Sequence, residues 1–311
     1  MNKTAGIHHI SAIVGHPQQN VDFYAGVLGL RLVKKTVNFD DPGTYHLYFG
    51  NDSAKPGTLI TFFPWVGATH GKIGGGQVGM TAYAIPVGAL PYWEKRLEKF
   101  SIKYEKVNRF GETYLQFEDY HGLKLELVER EEGQLNNWTF GEVEPKVAIK
   151  GFAGAVLYSL DPDSTIKTLV EIMGLEKVAE EDEFIRLESY GDIGNRIDVV
   201  QTKVAPGRMG VGTVHHIAWR AKDKAEHLEW QDELYTKGYG VTEVKDRNYF
   251  DAIYFKEFGD ILFEIATDGP GFTRDETYET MGEELKLPET YEYARDQIEK
   301  LLTPIEVKQL D

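Results

Sequence analysis

The strongest constraint on the fold of this chain is an order of elements that it spells out four times: a strand, a helix, then three strands. In the first unit, residues 7–14 alternate as a strand. A helical run follows with Val21, Tyr24, Val27 and Leu28 apolar and Gly29 placed to end it. Strand patterns then cover residues 31–39, 45–49 and 58–63. A Gly-rich connection over 67–79 leads to the second unit. Its run Gly71-Lys72-Ile73-Gly74-Gly75-Gly76 has the composition of a phosphate loop without the spacing, and reads as a flexible crossing. The second unit places a strand at 80–86, a helix opened by Pro91 with Trp93, Leu97 and Phe100 on one face, and strands at 103–108, 114–118 and 123–128.

Residues 131–146 are polar, carry Gly133, Gly141 and Pro145, and mark the midpoint. The third unit begins at 152–159, has a helix from Asp161-Pro162 to Gly174, and continues with strands at 177–179, 183–189 and 196–201. The fourth begins at 213–220, with Ala225, Leu228, Leu234 and Tyr235 expected as the apolar positions of its helix and strands at 240–246, 252–258 and 261–266.

A βαβββ unit has one sheet face that it cannot bury alone, so units must pair, and each pair closes a half-barrel around a cleft. The expected fold is therefore α+β: four βαβββ modules in two half-barrel bodies, with a C-terminal helical tail. A doubly wound sheet needs a helix between nearly every pair of strands and is disfavoured. Two domains are expected, 1–146 (modules 7–64 and 79–130) and 147–267 (modules 151–202 and 213–267), followed by the tail 268–311. The chain's 311 residues suffice for two cores. In the tail, an acidic loop over 276–284 precedes a helix with Ala294, Ile298, Leu301 and Leu302 apolar.

Composition narrows the chemistry. There is no cysteine, hence no disulfide framework, thiolate nucleophile or thiolate-bound zinc. No apolar run is long enough to span a bilayer, and no hydrophobic leader opens the sequence, which predicts a cytoplasmic protein. Fifty acidic against 34 basic side chains give a formal charge of −16, a field that repels phosphate backbones and anionic lipid. Nucleic acid and membranes are thus not expected partners; a small molecule is, and a homodimer is the commonest assembly.

The chemistry-bearing pattern is written twice. Gly6-Ile7-His8-His9-Ile10 opens the first module and Gly212-Thr213-Val214-His215-His216-Ile217 the fourth. The corresponding places of modules two and three lie near Ala82 and Ala155, so a single site between modules one and four is expected. Strand alternation lets only one His of each pair face that site. His9 would share its face with Ser11 and Ile13, and His216 with Ala218 and Arg220; alternation alone does not settle the register. Glu264, a lone acid in Ile261-Leu262-Phe263-Glu264-Ile265, needs a partner if buried. Phe62 is read as its counterpart in module one. Two imidazoles and a carboxylate leave open positions on an octahedral ion, which suits Fe(II); Mn(II) accepts the same donors, and zinc goes more often with hydrolytic or lyase chemistry. Tyr254 is one hairpin from Glu264 and can approach the same cleft. His46 and His121 read as surface residues near strand ends.

The modules resemble the vicinal oxygen chelate superfamily of glyoxalases and extradiol dioxygenases. The runs from Gly26 to Asp40 and from Thr44 to Gly50, together with Gly269-Pro270-Gly271-Phe272, are similar to the bacillary ring-cleaving dioxygenases of methylhydroquinone resistance and to hydroquinone 1,2-dioxygenases. The resemblance implies His9, His216 and Glu264 as ligands of Fe(II), with Mn(II) as the other candidate. It implies His8 and His215 beside the metal or the substrate, and Arg247 and Tyr254 against a phenolic oxygen. The implied reaction opens an aromatic diol with O2. Ala155, where catechol-cleaving relatives carry a His, favours the hydroquinone layout. Two other functions compete: a glyoxalase-type lyase or isomerase, which wants a second carboxylate at the metal, and a module that only binds a quinone-like ligand.

Overall fold

The structure, a computed structural model, describes residues 2–310. It holds two eight-stranded sheets, each curled into a half-barrel and each built from two modules. Module one comprises β1 (Ile7–Val14), α1 (Pro17–Val21, prolonged by a wider turn over Asp22–Val27), β2 (Arg31–Asn38), β3 (Asp41–Gly50) and β4 (Leu59–Pro64). Module two comprises β5 (Gln77–Ile85), α2 (Leu90–Lys99), β6 (Tyr104–Arg109), β7 (Glu112–Glu118) and β8 (Lys124–Glu129). Module three runs through β9 (Gly151–Tyr158), α3 (Pro162–Glu171), β10 (Glu176–Glu181), β11 (Phe184–Glu188) and β12 (Arg196–Val200). Module four has β13 (Thr213–Ala221), α4 (Lys224–Thr236), β14 (Lys245–Asp246), β15 (Phe250–Lys256) and β16 (Leu262–Pro270). The helix α5 (Arg295–Leu301) lies in the tail. Among the described residues no helix is long and apolar enough to cross a membrane.

One sheet runs β14-β15-β16-β13-β1-β4-β3-β2 and the other β10-β11-β12-β9-β5-β8-β7-β6. Each takes one module from either half of the chain, and the seam is an antiparallel pair of opening strands, β1 with β13 and β5 with β9. Within a module the opening strand pairs in parallel with the last, as β1 does with β4. This brings the first and fourth modules edge to edge around one cleft.

Several local expectations change. The buried face of α4 is His227, Trp230 and Leu234, while Leu228 and Tyr235 are exposed. The residues at i, i+3 and i+7 set the face, and His227 fixes it through Nε2, 2.9 Å from the carbonyl oxygen of Ile265. The strand expected over 240–246 shrinks to the two residues of β14. The Gly-rich crossing is an ordered ribbon: the amide of Gly71 donates to Val211 O, that of Lys72 to Arg208 O and that of Gly75 to Ala205 O. Glycine is required there, because a Cβ on Gly74 would sit 2.5 Å from Ala205 O.

The tail folds across β2, the edge strand of the first sheet. Lys286 N donates to Lys35 O, the Tyr291 hydroxyl to Phe39 O at 2.6 Å, and the fully buried Lys34 ammonium is neutralised by Asp275 at 2.6 Å and by Glu276. An open edge strand is a template for unwanted pairing, and the tail covers it. The acidic loop thus contributes a buried counter-ion. In α5 only Ile298 is buried, with Leu302 just beyond it, while Leu301 faces out.

Candidate metal centre

Three neighbouring strands, β16, β13 and β1, carry Glu264, His216 and His9. The register aligns them: Ala218 pairs with Glu264 on one side and with His9 on the other, and Ser11 pairs with His216. β-Bulges flank the segment from His9 to Ser11, a device that re-aims side chains at a site. His216 Nε2 lies 2.8 Å from Glu264 Oε2, His9 Nε2 lies 3.5 Å from that oxygen, and the two Nε2 atoms are 3.2 Å apart. All three side chains are buried, and one ligand atom from each falls within 4.8 Å of the others.

The donor set fits a cation. Among the described residues none donates a hydrogen bond to either carboxylate oxygen of Glu264, although the residue is 0% exposed. A buried carboxylate without donors costs several kcal/mol unless another charge satisfies it. Burial pushes this carboxyl up, and positive charge beside it, as on the two imidazoles when they are protonated, draws it well below the usual carboxylate range. The histidine behind His9 sets its tautomer. His8 Nε2 lies 3.1 Å from the carbonyl oxygen of Thr267, which can only accept, so Nε2 carries the proton. Burial, reinforced by His9, keeps His8 neutral, leaving Nδ1 as an acceptor 2.9 Å from His9 Nδ1. His9 therefore donates from Nδ1 and presents a bare Nε2 lone pair to the centre, the arrangement of a ligating imidazole. His215 Nδ1 stands 2.8 Å from His216 Nδ1 in the same relation.

A cavity of about 290 Å³ opens over this cluster. His9, His215, His216, Arg247, Tyr254 and Glu264 line it; His8 does not. Tyr254 is the cross-strand partner of Glu264, so both project from one face. Its hydroxyl accepts from Arg247 Nε at 3.1 Å, and Arg247 also approaches Asp40 at 3.4 Å. Burial and then Glu264 raise the Tyr254 phenol well above its usual range, so it stays protonated. Burial, reinforced by His216, lowers His215 to about 3. Arg247 is thus a cation of the cavity wall.

Other cavity residues were not legible as functional. His46 is no surface residue: it sits in the wall, its Nε2 2.8 Å from Thr61 Oγ1 and its Nδ1 3.0 Å from the Tyr48 hydroxyl. Its ring lies 4.1 Å from that of Tyr48 and 4.3 Å from that of Phe63, which stacks on Trp65. Phe250 closes another side, 5.0 Å from His9. The available signal was alternation in β3, which puts His46 and Tyr48 on one face. His121 is also buried, accepting from the amide of His16 at 3.2 Å, and lines no part of this cavity.

Register corrects the internal comparison. Ala218 stands two residues after His216 and pairs with Glu264; Ser11 stands two after His9 and pairs with Thr61. Thr61, not Phe62, is the counterpart of Glu264, and its hydroxyl is 2.6 Å from that of Ser11. In the second sheet Val156 pairs with Asp198 and Ala82 with Glu126, so Met80 and Gly154 stand where the ligating histidines would. There, guanidinium groups hold the carboxylates: Arg109 reaches Asp198 at 2.7 Å and Glu126 at 2.9 Å, and Arg186 reaches Asp198 at 2.7 Å. That cleft retains about 10 Å³, hardly room for one water.

The family model described as "Glyoxalase/Bleomycin resistance protein/Dioxygenase superfamily" matches residues 6–127 and 151–268. The chain is 66% identical over 309 residues to the proposed ring-cleaving dioxygenase MhqO of Bacillus subtilis (strain 168), covering 99% of both. It is 35% identical over 309 residues to the chlorohydroquinone/hydroquinone 1,2-dioxygenase of Sphingobium indicum, covering 95% of both. A crystal structure of a proposed dioxygenase from Bacillus subtilis superposes with a TM-score of 0.99 at 65% identity, over 100% of both chains. With its four modules, its His-His-Glu cluster and whole-length relatives of this kind, the chain belongs to the glyoxalase, bleomycin resistance protein and dioxygenase superfamily.

Proposed function

We propose that this protein is a ring-cleaving dioxygenase that opens a hydroquinone-type aromatic diol, such as methylhydroquinone, with O2 at an Fe(II) centre held by His9, His216 and Glu264. The observation that carries the reading is the buried Glu264 carboxylate, free of hydrogen bonds, on which two imidazole nitrogens converge inside an aromatic cavity. The hydroquinone dioxygenase among its relatives supports the substrate class. Held by His9, His216 and Glu264, Fe(II) would supply the electron transfer between a diol and O2.

The chain's own residues do the rest. Phe63, Trp65, Phe250 and the His46 ring make flat walls for one aromatic ring; about 150 Å³ suffices for benzene. Tyr254 accepts from Arg247, so its own proton is free to donate to a substrate oxygen, and the Arg247 charge offsets negative charge growing there. With His216 Nδ1–H directed at His215 Nδ1, neutral His215 carries its proton on Nε2, which has no hydrogen-bond partner among the described residues and is available to the substrate. His8 has both nitrogens engaged, so in this reading it acts through His9 and takes no proton from the diol. The lyase alternative wants a second carboxylate, and Thr61 stands at that position.

The test is anaerobic purification and metal analysis, followed by oxygen uptake with 2-methylhydroquinone and, separately, catechol. About one iron per chain is expected, with uptake stoichiometric in the hydroquinone and abolished in Glu264→Gln. Zinc or nickel without oxygen uptake overturns the dioxygenase, and manganese as the active metal overturns the iron assignment. Faster turnover of catechol overturns the substrate class.

A further inference from the structure

The metal cavity has a polar floor, aromatic walls and a polar mouth. Its floor is the cluster of His9, His216 and Glu264, and its mouth is the turn from β2 into β3, which brings Asn38, Phe39, Asp40 and Asp41 to the opening. A ribbon of polar contacts joins the two ends. Tyr254 stands across the strands from Glu264, its hydroxyl accepts from Arg247 Nε at 3.1 Å, and a terminal nitrogen of Arg247 lies 3.4 Å from Asp40 Oδ2. Side-chain exposure rises along the ribbon, from 0% at Glu264 through 20% at Arg247 to 80% at Asp40. Phe63, Trp65, Phe250 and His46 supply the walls in between.

The backbone of this turn is held in place. Asn38 Oδ1 accepts from the Asp40 amide at 2.9 Å, and the Tyr291 hydroxyl of the tail donates to Phe39 O at 2.6 Å. The Asp40 carboxylate is free by comparison. Arg247 is its one partner among the described residues, and its exposed oxygens can accept from another donor at the cavity they line. In module two the equivalent turn plugs its cleft instead: Arg109 enters it, and the Phe110 ring centre lies 4.2 Å from the Arg186 guanidinium. The two oxygens of a para-diol stand at opposite ends of its ring, whereas those of a catechol stand side by side. With one oxygen at the floor and the ring between the aromatic walls, the para isomer carries its second hydroxyl toward the mouth. We propose, resting on the dioxygenase reading of this site, that Asp40 selects the para-diol: its carboxylate accepts a hydrogen bond from the hydroxyl remote from His9, His216 and Glu264. An ionised acceptor holds a phenolic donor more strongly than a neutral one does. Exposure to water limits the gain to about fivefold in affinity.

The test is anaerobic calorimetric titration of the full-length, metal-loaded protein with hydroquinone, with 4-methylphenol, which carries a methyl group in place of the second hydroxyl, and with catechol. Asp40→Ala is expected to weaken hydroquinone by about fivefold and to leave the other two within about twofold of the wild type. The side chain is exposed, so the fold is not at risk. Asp40→Asn, whose amide oxygen can still accept, is expected to recover part of the loss. Unchanged hydroquinone affinity in Asp40→Ala overturns the proposal, as does the absence of hydroquinone binding by the wild type. An equal loss for all three ligands also overturns it, since Asp40 would then act on the cavity as a whole and not on the second hydroxyl. Calorimetry reads binding without turnover. A protein that binds the three ligands in the expected pattern yet takes up no oxygen with hydroquinone overturns the dioxygenase and leaves the role of Asp40 standing.

Discussion

Thr61 holds in the first module the register position that Glu264 holds in the fourth: each pairs in parallel with the residue two places beyond a ligating histidine. The internal symmetry therefore offers four ligand positions, and the chain fills three.

Adding the fourth ligand is expected to close an open position. In Thr61→Glu, metal content should stay at the wild-type level while oxygen uptake falls by about two orders of magnitude. Thr61→Val, which loses the contacts to His46 and Ser11 but adds no ligand, should lose far less. Metal analysis and an oxygen electrode on both variants decide it; equal losses would mean that the hydroxyl contacts matter and the vacant ligand position does not.

His8 is expected to act on metal affinity. His8→Phe removes the acceptor behind His9 Nδ1, frees the imidazole to rotate or change tautomer, and should weaken metal binding by about 10–100-fold. His8→Asn, whose amide oxygen can accept, should recover part of this. Competition with a chelator gives the affinities. A loss of kcat at unchanged affinity would instead make His8 a participant in the reaction.

Asp119 carries a pH signature far from the metal. Its Oδ1 accepts from the amides of His121 and Leu123, yet burial pushes the carboxyl up to about 6. Between an unfolded value near 3.9 and this folded value the native state binds more protons, so stability contributed by this group falls as pH rises. The stability of Asp119→Asn relative to wild type should therefore grow by about 2–3 kcal/mol from pH 4 to pH 7. Urea unfolding at the two pH values measures it; a constant difference would contradict the raised carboxyl.

The second sheet's ion network is expected to be structural. Arg109→Met leaves Glu126 and Asp198 buried with part of their compensation gone, and should cost about 3–5 kcal/mol. Metal content and oxygen uptake of the folded fraction should match the wild type. A lowered metal content in protein that remains folded would tie the two clefts together.

Much of this centre was legible in the sequence, because its signals obey strand alternation. The two His-His pairs and Glu264 stand out as polar groups in apolar strands, and the duplicated His-His-Ile marks the modules that meet; which His of each pair faces inward came from the family resemblance and not from alternation. Register was not legible. A shift of one residue exchanges the faces of a strand, and no local pattern in β4 fixes its parallel register against β1, so Phe62 took the place of Thr61. His46 went unrecognised for a different reason: one histidine in a strand looks alike whether it faces solvent or a cavity. The α4 face was misplaced because Leu228 and Tyr235 are more apolar than His227, and only the carbonyl of Ile265 shows why the histidine turns inward. The order of modules in the sheets follows from long-range pairing, which no local window of sequence contains.

That pairing has a consequence for biosynthesis. His9 leaves the ribosome with the first strand, and Glu264 follows only with the sixteenth. A nascent chain halted before β16 has its imidazoles but no carboxylate between them, so a metal ion gains a tight seat only once the fourth module has been made. Placing the ligands in the first and fourth modules delays metal capture until the walls that shield it exist.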